Sequence, residues 1–439
     1  MFKSFDGGIT LESNVYQPER YRDLEEISNQ NSFVVRGAGY SYAAASFAGD
    51  STTVLSNKFN RILEFDAATG LVEVEAGITL GDLYNFLFLK GFYLPTQPGF
   101  GGITIGGCIA ADVHGKNQLR DGNFHNQVVQ VRIFHPSHGF LTLSREINPE
   151  LFDLTCGGYG LTGFIVTCVL QTSQIPSTVV TKKAIEFGSL REGIELLEIE
   201  SQRADFVNTW HDFSSTYGAK KGGLLFSSKF TSFGEDELRK IERFIPVLNQ
   251  AIDLKNLSVN FYNKWGLKVL NTAYKLRYTN SFVSDYCSLE SALFPIHKSK
   301  IYYAGFGQSG FHEYQVVLPK QALEGFLHDS ADQAKNSGIQ LSLVSGKLFG
   351  GNQKLLRFMG EGYAIAINFP RNSKSPNFAK MLDKNTLYYK GRPNLIKDSR
   401  LPIEVLEATY ADTDEFRKIL KDFDPKRLVN SEFSRRLGL

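Results

Sequence analysis

PGFGGITIGGCIAADVHGKN, residues 98–117, is the stretch most informative about the fold, because six of its twenty residues are glycine. Within regular structure a glycine is less favourable than alanine by about 0.5 to 1 kcal/mol, so an ordinary packed loop has no need of so many. Glycine at this density indicates that another molecule approaches the backbone closely. We interpret the segment as the bed of a long planar cofactor.

Two further glycine-rich segments lie at the ends of β-like runs: RGAGYSY at residues 36–42 and CGGYGLTGFI at residues 156–165. Successive backbone N–H groups in such turns can form a nest for phosphate oxygens. The first segment is not a Rossmann fingerprint, because it lacks the G-x-x-G spacing and a ribose-binding acid about 20 residues later. Taken alone, it is equally compatible with a tight structural turn. The three segments together predict a pyrophosphate-bearing cofactor held mainly by backbone amides.

The pattern of apolar residues predicts an α+β fold with more than one domain. At 439 residues the chain exceeds the roughly 250 to 300 that one hydrophobic core usually sustains. Period-2 and period-3.6 patterns separate a strand-rich first third from a later region of helices and strands. The predicted strands are 32–36, 52–55, 62–66, 71–76, 128–135, 164–171 and 315–318, and the predicted helices are 79–91, 188–203, 235–247, 320–337 and parts of 402–439.

Composition argues against several classes of function. The 48 basic and 46 acidic residues nearly cancel, so we expect no nucleic-acid partner, and we interpret the lysine pairs at 182–183 and 220–221 as solvated surface. The four cysteines are widely spaced and two histidines at 135 and 138 lie in a predicted hairpin turn, so we expect no metal site.

The N-terminus lacks the apolar stretch of a secretion signal, and no apolar run approaches the roughly 20 residues that span a bilayer. Together with the cysteine usage, this predicts a cytoplasmic protein. The 35 phenylalanines and 19 tyrosines leave room for a patch that contacts a membrane surface.

The motifs Arg-Gly-x-Gly-x-Ser-Tyr, Pro-Gly…His-Gly-Lys-Asn and Gly-Gly-x-Gly-Leu-Thr-Gly resemble the FAD-binding domain of the vanillyl-alcohol oxidase superfamily. Within it, the chain is most similar to the flavoprotein oxidase half of the decaprenylphosphoryl-ribose 2′-epimerase family. The resemblance extends over nearly the whole length and includes segments at 210, 313–315, 347–353, 369–370, 397–400 and 424–437.

This resemblance implies a two-domain vanillyl-alcohol-oxidase-type fold: an FAD-binding domain over 1–176, an antiparallel-sheet substrate domain over 177–391, and a C-terminal segment, 392–439, that returns to the FAD-binding domain. It also implies oxidation of the 2′-hydroxyl of a polyprenyl-phospho-ribose to a ketone. An NADH-dependent short-chain reductase would then complete the epimerisation. Tyr40 stands where relatives with covalent FAD carry histidine, so noncovalent FAD is expected.

The resemblance assigns roles to individual positions. Lys397 and His114 match active-site positions beside the flavin, where a cation can stabilise negative charge or hold a substrate oxygen, and a desolvated lysine can act as a base. The expected FAD contacts are Arg36, Gly37, Ala38, Gly39, Tyr40, Ser41, Tyr42, Pro98, Gly99, Thr104, Gly106, Gly107, Cys108, Ala111, His114, Gly115, Asn117, Gly158, Gly160, Gly163, Ile165 and Lys397. The expected substrate contacts are Lys116, Trp210, Glu313, Gln315 and Lys347.

Four departures from the family pattern predict an altered pocket. Ala366 replaces a cysteine, Ala364 a polar residue, Glu313 a glutamine and Leu293 a tyrosine. An alditol or sugar-lactone oxidase that reduces oxygen is therefore a second hypothesis, with a lipid-linked or a free sugar as substrate. A flavin-binding protein without catalysis is a third, which the presence of Lys397 and His114 opposes.

Overall fold

The computed structural model describes residues 1–213, 222–231, 259–279, 285–295 and 300–439. The helix predicted at 235–247 and the lysine pair at 220–221 lie outside these residues. The α-helices span Leu80–Phe88, Ile105–Ala110, Gln118–Asp121, Pro149–Thr155, Leu190–Ser201, Lys264–Thr279, Leu289–Leu293, Lys300–Ala304, Leu323–Ser337, Ser375–Tyr388, Ile403–Thr409, Thr413–Phe423 and Glu432–Arg436. Short 3₁₀ helices span Tyr21–Asn29, Phe124–Gln127, Lys320–Ala322 and Leu395–Lys397.

An antiparallel sheet forms the centre of the N-terminal part. In the described part of the chain its strand order is Gly139–Ser144, Val128–His135, Phe164–Gln171, Leu71–Glu75 and Ile62–Asp66. Apolar residues alternate along these strands, so that one face packs on the helix Leu80–Phe88. Beside it, Val15–Tyr16, Thr52–Leu55 and Phe33–Arg36 pair in parallel, and short ribbons join Phe2–Lys3 to Thr10–Leu11 and Phe92–Tyr93 to Ser173–Gln174.

A second sheet, called here the large sheet, is also antiparallel throughout. Among the described residues its order is Asp285–Ser288, Val179–Phe187, Gly223–Phe230, Phe206–His211, Leu343–Phe349, Gly362–Pro370, Phe311–Leu318 and Arg392–Pro393. The helices Leu190–Ser201, Leu323–Ser337 and Ser375–Tyr388 pack on one face of it through a buried apolar layer. The opposite face of the large sheet borders the cavity of the candidate active site.

The C-terminal helices return to the N-terminal part. Buried residues from 395 to 439 share one apolar cluster with Ala43, Tyr159 and Leu161. Val429 also lies alongside Phe33 at the edge of the parallel strands, where the Phe33 N–H donates to the Leu428 carbonyl at 2.8 Å.

The predicted α+β class is confirmed, and the strands predicted at 52–55, 62–66, 128–135 and 164–171 are observed at those residues. The hairpin at His135 and Gly139 is confirmed as well. Several helices were not predicted, among them Lys264–Thr279, Ser375–Tyr388 and the short Ile105–Ala110. Ile105–Ala110 is helical despite its two glycines, because the Thr104 side chain caps it by accepting from the Gly107 N–H and Gly106 packs against Ala76.

In the described part of the chain, no helix is both long enough and apolar enough to cross a bilayer.

Candidate active site

A cavity of about 960 Å³ lies between the glycine-rich segments and the free face of the large sheet. This volume is at the upper end of the range of about 300 to 1,000 Å³ typical of small-molecule sites. Residues at every second position of neighbouring strands reach it, since side chains alternate between the faces of a sheet. The sheet contributes Lys182, Asn208, Trp210, Phe226, Ser228, Glu313, Gln315, Leu343, Ser345, Lys347, Ala366 and Asn368.

The opposite wall is mainly backbone. Gly37, Ala38, Gly39 and Ser41 line the cavity, and their N–H groups donate to no acceptor among the described residues. Unpaired backbone donors in a turn suit the oxygens of a phosphate or pyrophosphate. The wall therefore fits the phosphate-bearing middle of a dinucleotide.

Close packing explains the glycines of this wall. A Cβ on Gly37 would lie 2.2 Å from the Thr104 hydroxyl oxygen, so the first and second glycine-rich segments touch only because Gly37 has no side chain. Gly39 has φ +78° and its Cβ would lie 2.2 Å from Arg36 Nη2. Both the backbone conformation and the contact require glycine there.

The structure brings most of the predicted residues together around this one cavity. The predicted residues that line it are Gly37, Ala38, Gly39, Tyr40, Ser41, Tyr42, Pro98, Gly99, Thr104, Gly106, Gly107, Ala111, His114, Gly115, Lys116, Gly160, Gly163, Ile165, Trp210, Glu313, Gln315, Lys347 and Lys397.

Four predicted cofactor contacts lie outside the lining. The Arg36 guanidinium turns away to donate to the Ser46 hydroxyl at 2.9 Å, and the Cys108 thiol is fully buried in the N-terminal core. Asn117 donates to the Pro95 carbonyl at 2.9 Å. Gly158 packs against Leu154, whose carbonyl oxygen would lie 1.9 Å from an added Cβ. In this structure the four residues contact neighbouring parts of the wall, and their contact with FAD stays a prediction.

His114 is held in a chain of side-chain amides. Its Nε2 lies 3.1 Å from Gln315 Nε2, and its Nδ1 lies 3.3 Å from the Gly115 carbonyl oxygen. An imidazole whose Nδ1–H donates to that carbonyl can accept at Nε2 from the glutamine amide. Burial, followed by the nearby charge of Lys347, lowers the pKa of His114 well below its usual value. His114 is accordingly neutral.

Asn394 completes the chain and was not singled out from the sequence. Its Nδ2 donates to Gln315 Oε1 at 2.7 Å, which fixes the orientation of the glutamine amide towards His114. Its Oδ1 accepts from the Ile396 N–H at 3.3 Å, capping the 3₁₀ turn that carries Lys397. One asparagine thus links the two predicted catalytic residues.

Lys397 is oriented by a carboxylate and an aromatic ring. Its Nζ lies 3.1 Å from Glu313 Oε1 and 4.0 Å from the centre of the Tyr42 ring. Both partners hold the ammonium in place, through charge pairing and cation–π attraction. Because Glu313 itself is anchored by Asn368 at 3.4 Å, the ammonium has a defined position in the cavity.

The sheet side of the cavity is rich in cations. Burial, followed by the charges of Lys182 and Lys347, lowers the pKa of Lys116 to about 7. Burial, followed by the charge of Lys397, lowers the pKa of Lys347 to about 8, against the opposing pull of Glu313. Lysines that lower one another's pKa favour an anionic ligand. The negative charge of such a ligand would raise their pKa values again and keep the lysines protonated.

Lys182 corrects the surface interpretation of the lysine pair at 182–183. Lys183 is exposed, whereas Lys182 lines the cavity, with its Nζ 4.9 Å from the Phe226 ring centre. The signal was present in the sequence, because neighbouring residues of a strand point to opposite faces. The prediction that all four departures from the family pattern alter the pocket is also corrected. Glu313 and Ala366 line the cavity, but Ala364 and Leu293 lie in apolar clusters beside it.

Comparisons with known proteins agree with this site. A family model for an FAD binding domain matches residues 15–143. The decaprenylphosphoryl-beta-D-ribose oxidase of Mycolicibacterium smegmatis is 29% identical over 413 residues, covering 92% of this chain and 89% of that protein. The chain is an FAD-dependent oxidoreductase whose N-terminal part is similar to that FAD-binding family model.

Other relatives of this oxidoreductase match a shorter stretch. The L-gulonolactone oxidase of Mus musculus is 28% identical over 160 residues, 36% of each chain. The mitochondrial L-galactono-1,4-lactone dehydrogenase of Arabidopsis thaliana is 31% identical over 163 residues, covering 36% of this chain and 26% of that protein. Oxidation of a sugar or a sugar lactone is common to these names and to the first.

Proposed function

We propose that this oxidoreductase oxidises the 2′-hydroxyl of a polyprenyl-phospho-ribose to a ketone, as the first half of an epimerisation that an NADH-dependent short-chain reductase completes. The observation that carries the proposal is the cluster of Lys116, Lys347 and Lys397 on the sheet side of a mainly apolar cavity. Lysines suit the phosphodiester, and apolar walls suit the first units of a lipid chain. The long match to an oxidase named for such a sugar supports it.

The proposal assigns separate parts of the chain to cofactor and substrate. Residues 1–176 and 392–439 form the FAD-binding domain, and residues 177–391 form the substrate domain. FAD bound noncovalently along the glycine-rich wall supplies the acceptor for the hydride that leaves the sugar carbon. We expect no covalent bond between protein and FAD, because Tyr40 stands where relatives with covalently attached FAD carry the histidine that is bonded to it.

Lys397 and His114 act on the substrate from the positions described above. The Lys397 ammonium, held by Glu313, holds the oxygen of the reacting hydroxyl and stabilises negative charge as it develops. Two groups that line the cavity can take the hydroxyl proton: the neutral form of Lys347 Nζ, and His114 Nε2 once the substrate hydroxyl replaces the Gln315 amide as its hydrogen-bond donor. The lowered pKa keeps His114 neutral, whereas Lys347, with a pKa of about 8, reaches its neutral form only as pH rises through about 8. The pH profiles of His114→Gln and Lys347→Met distinguish them.

A sugar-lactone or alditol oxidase is the second candidate. The lactone-acting relatives named above support it, and so does Glu313, since a carboxylate can accept hydrogen bonds from free hydroxyl groups. In this case oxygen, rather than a partner enzyme, would reoxidise the flavin.

The test begins with the visible spectrum of the purified protein before and after denaturation, which reports whether FAD is bound and whether it is released. Polyprenyl-phospho-ribose and simple polyols or lactones are then added separately without oxygen. Bleaching by the lipid-linked sugar alone, followed by inversion at the 2′ carbon when the reductase is supplied, supports the first proposal. Bleaching by polyols or lactones and peroxide formation in air supports the second and overturns the first.

A further inference from the structure

The helix Lys264–Thr279, called here the cover helix, has an inward and an outward apolar face. Leu267 and Asn271 are buried and line the cavity. On the opposite side Trp265, Val269 and Leu276 are 73%, 68% and 55% exposed. At 3.6 residues per turn these three side chains fall within about 40° of one another, so they form one stripe directed away from the protein. An apolar stripe on an outward face is unusual for a protein that only meets water.

The charged residues of the cover helix and of the segment just before it all have one sign. Residues 259–279 contain Lys264, Lys268, Lys275 and Arg277 and no aspartate or glutamate, although the whole chain is almost balanced. At helical spacing the three lysines lie along one flank of the stripe and Arg277 lies on the other. Lys275 pairs with Asp212 at 3.6 Å, which leaves the excess of positive charge in place.

The cavity reaches the surface beside the same stripe. Phe261, Leu270 and Tyr274 line the cavity and are also exposed, by 51%, 47% and 37%. Val259, just before the cover helix, is exposed as well. Exposed apolar residues of the cover helix and of the segment just before it therefore lead from the surface into the site.

We propose that the outward face of the cover helix docks into an anionic lipid surface, with Trp265, Val269 and Leu276 among the headgroups and acyl chains and the lysines at the phosphates. A short helix with an apolar stripe, flanking lysines and a tryptophan is the composition that binds at such interfaces. A second copy of this chain is a poorer occupant, because a two-fold contact would place the basic flanks together. The docking explains how a lipid-linked sugar reaches the cavity if the proposed function is right, but the surface itself does not depend on that function.

The test uses the FAD-loaded protein without substrate and two kinds of vesicle, phosphatidylcholine alone and phosphatidylcholine mixed with phosphatidylglycerol. Trp265 is one of only two tryptophans in the chain, and the other, Trp210, is buried. We expect co-sedimentation with the anionic vesicles and a blue shift of tryptophan emission, and we expect Trp265→Phe to abolish the shift while retaining most of the binding.

Paired variants locate the surface. Val269→Ser with Leu276→Ser should weaken vesicle binding at least about tenfold, because each lost apolar side chain contributes more than a factor of ten when buried. Lys264→Glu with Lys268→Glu should weaken it about fivefold or more for each lysine replaced and reduce its sensitivity to salt. Leu89→Ser, at an equally exposed leucine of the N-terminal part, is the matched control and should bind like the parent.

Three results would overturn the docking proposal. These are absence of binding to anionic vesicles, binding that survives the Val269 and Leu276 replacements, and self-association through these residues when no vesicles are present. Flavin bleaching by a short-chain, water-soluble phospho-ribose is measured on the same samples. In the parent protein, absence of vesicle binding with bleaching intact refutes the docking alone, whereas vesicle binding without bleaching refutes the proposed function alone.

Discussion

The two walls of the cavity are made from different parts of the polypeptide. The glycine-rich wall comes from three short segments, each contiguous in sequence, and it presents backbone N–H groups, at residues 37–41 above all. The sheet wall takes one to three side chains from each of six strands, from Lys182 to Asn368. A backbone wall can hold a cofactor of fixed shape but changes little with mutation, whereas a side-chain wall can change one group at a time. Cofactor binding and substrate choice should therefore be separable by mutation.

The sharpest separation is expected at Lys397. Lys397→Met removes the ammonium that Glu313 and Tyr42 orient, and FAD should remain bound because the glycine-rich wall is untouched. Loss of one such electrostatic group typically lowers a rate by about 10² to 10³-fold. Anaerobic stopped-flow measurement of flavin reduction checks the rate, and the absorbance of bound flavin checks the content.

Two controls accompany this variant. Lys397→Arg keeps the charge and should recover part of the rate, and Glu313→Gln with Lys397→Met avoids leaving an unpaired carboxylate in the cavity. Reduction at the parent rate would remove Lys397 from the mechanism.

Gly39→Ala tests the opposite wall. The new methyl group would meet Arg36 Nη2 at 2.2 Å, and the backbone there has φ +78°, which is unfavourable for alanine by about 1 to 2 kcal/mol. The segment must shift to relieve this strain, so FAD affinity should fall by about tenfold or more, as measured by fluorescence on titration with FAD. Substrate binding by the fraction that retains FAD should change little.

Gly91→Ala is the matched control for this prediction. Gly91 has φ +80°, but a Cβ there would have no neighbour within 4 Å, and the residue does not line the cavity. Gly91→Ala should lower thermal stability about as much as the backbone strain at Gly39 does, because the two φ angles are nearly equal, and it should leave FAD affinity unchanged. Equal FAD affinities in the two variants would contradict a cofactor role for the turn at 37–42.

The same contrast explains what the sequence could predict. The glycine-rich wall is visible in the sequence because its residues are neighbours, and so many glycines in a short stretch form a local pattern. The sheet wall is scattered: Asn394 bonds Gln315 from 79 residues away, and no local pattern separates such an asparagine from an ordinary turn residue. Lys182 was misread because it was taken as half of a pair, although strand alternation directs it and Lys183 to opposite faces.

Asn394→Asp tests whether the amide chain sets the state of His114. An aspartate can still accept from the Ile396 N–H but cannot donate to Gln315 Oε1, so the glutamine amide should turn and present its oxygen to His114 Nε2. His114 must then carry its proton on Nε2. We expect a change of tautomer, seen by nitrogen NMR, and a fall of about tenfold in kcat.

The control for this variant is Asn394→Ala, which removes both the donor and the cap of the 3₁₀ turn. It should lower kcat further by also displacing Lys397. An unchanged tautomer in Asn394→Asp, with FAD bound normally, would show that Gln315 does not govern His114.

The smallest predicted effect concerns pH. The pKa of Lys116 is lowered to about 7 and that of Lys347 to about 8, against about 10.4 for an unfolded lysine, so the folded protein binds fewer protons between about pH 7 and 10. Stability should therefore rise with pH across that window, since the unfolded chain holds the extra protons. Affinity for a phosphate-bearing substrate should move the other way, because the anion binds the protonated lysines.

We accordingly expect KM for the phospho-sugar to rise severalfold, by up to about tenfold per pH unit for each lysine, as pH increases through about 7 to 8. Lys116→Met should raise KM at low pH and flatten this dependence, while KM for an uncharged sugar stays constant in both proteins. A parallel pH dependence for charged and uncharged sugars would place the titration on the reacting hydroxyl rather than on the lysine cluster. The cations of the sheet wall would then serve the chemical step and not the recognition of phosphate.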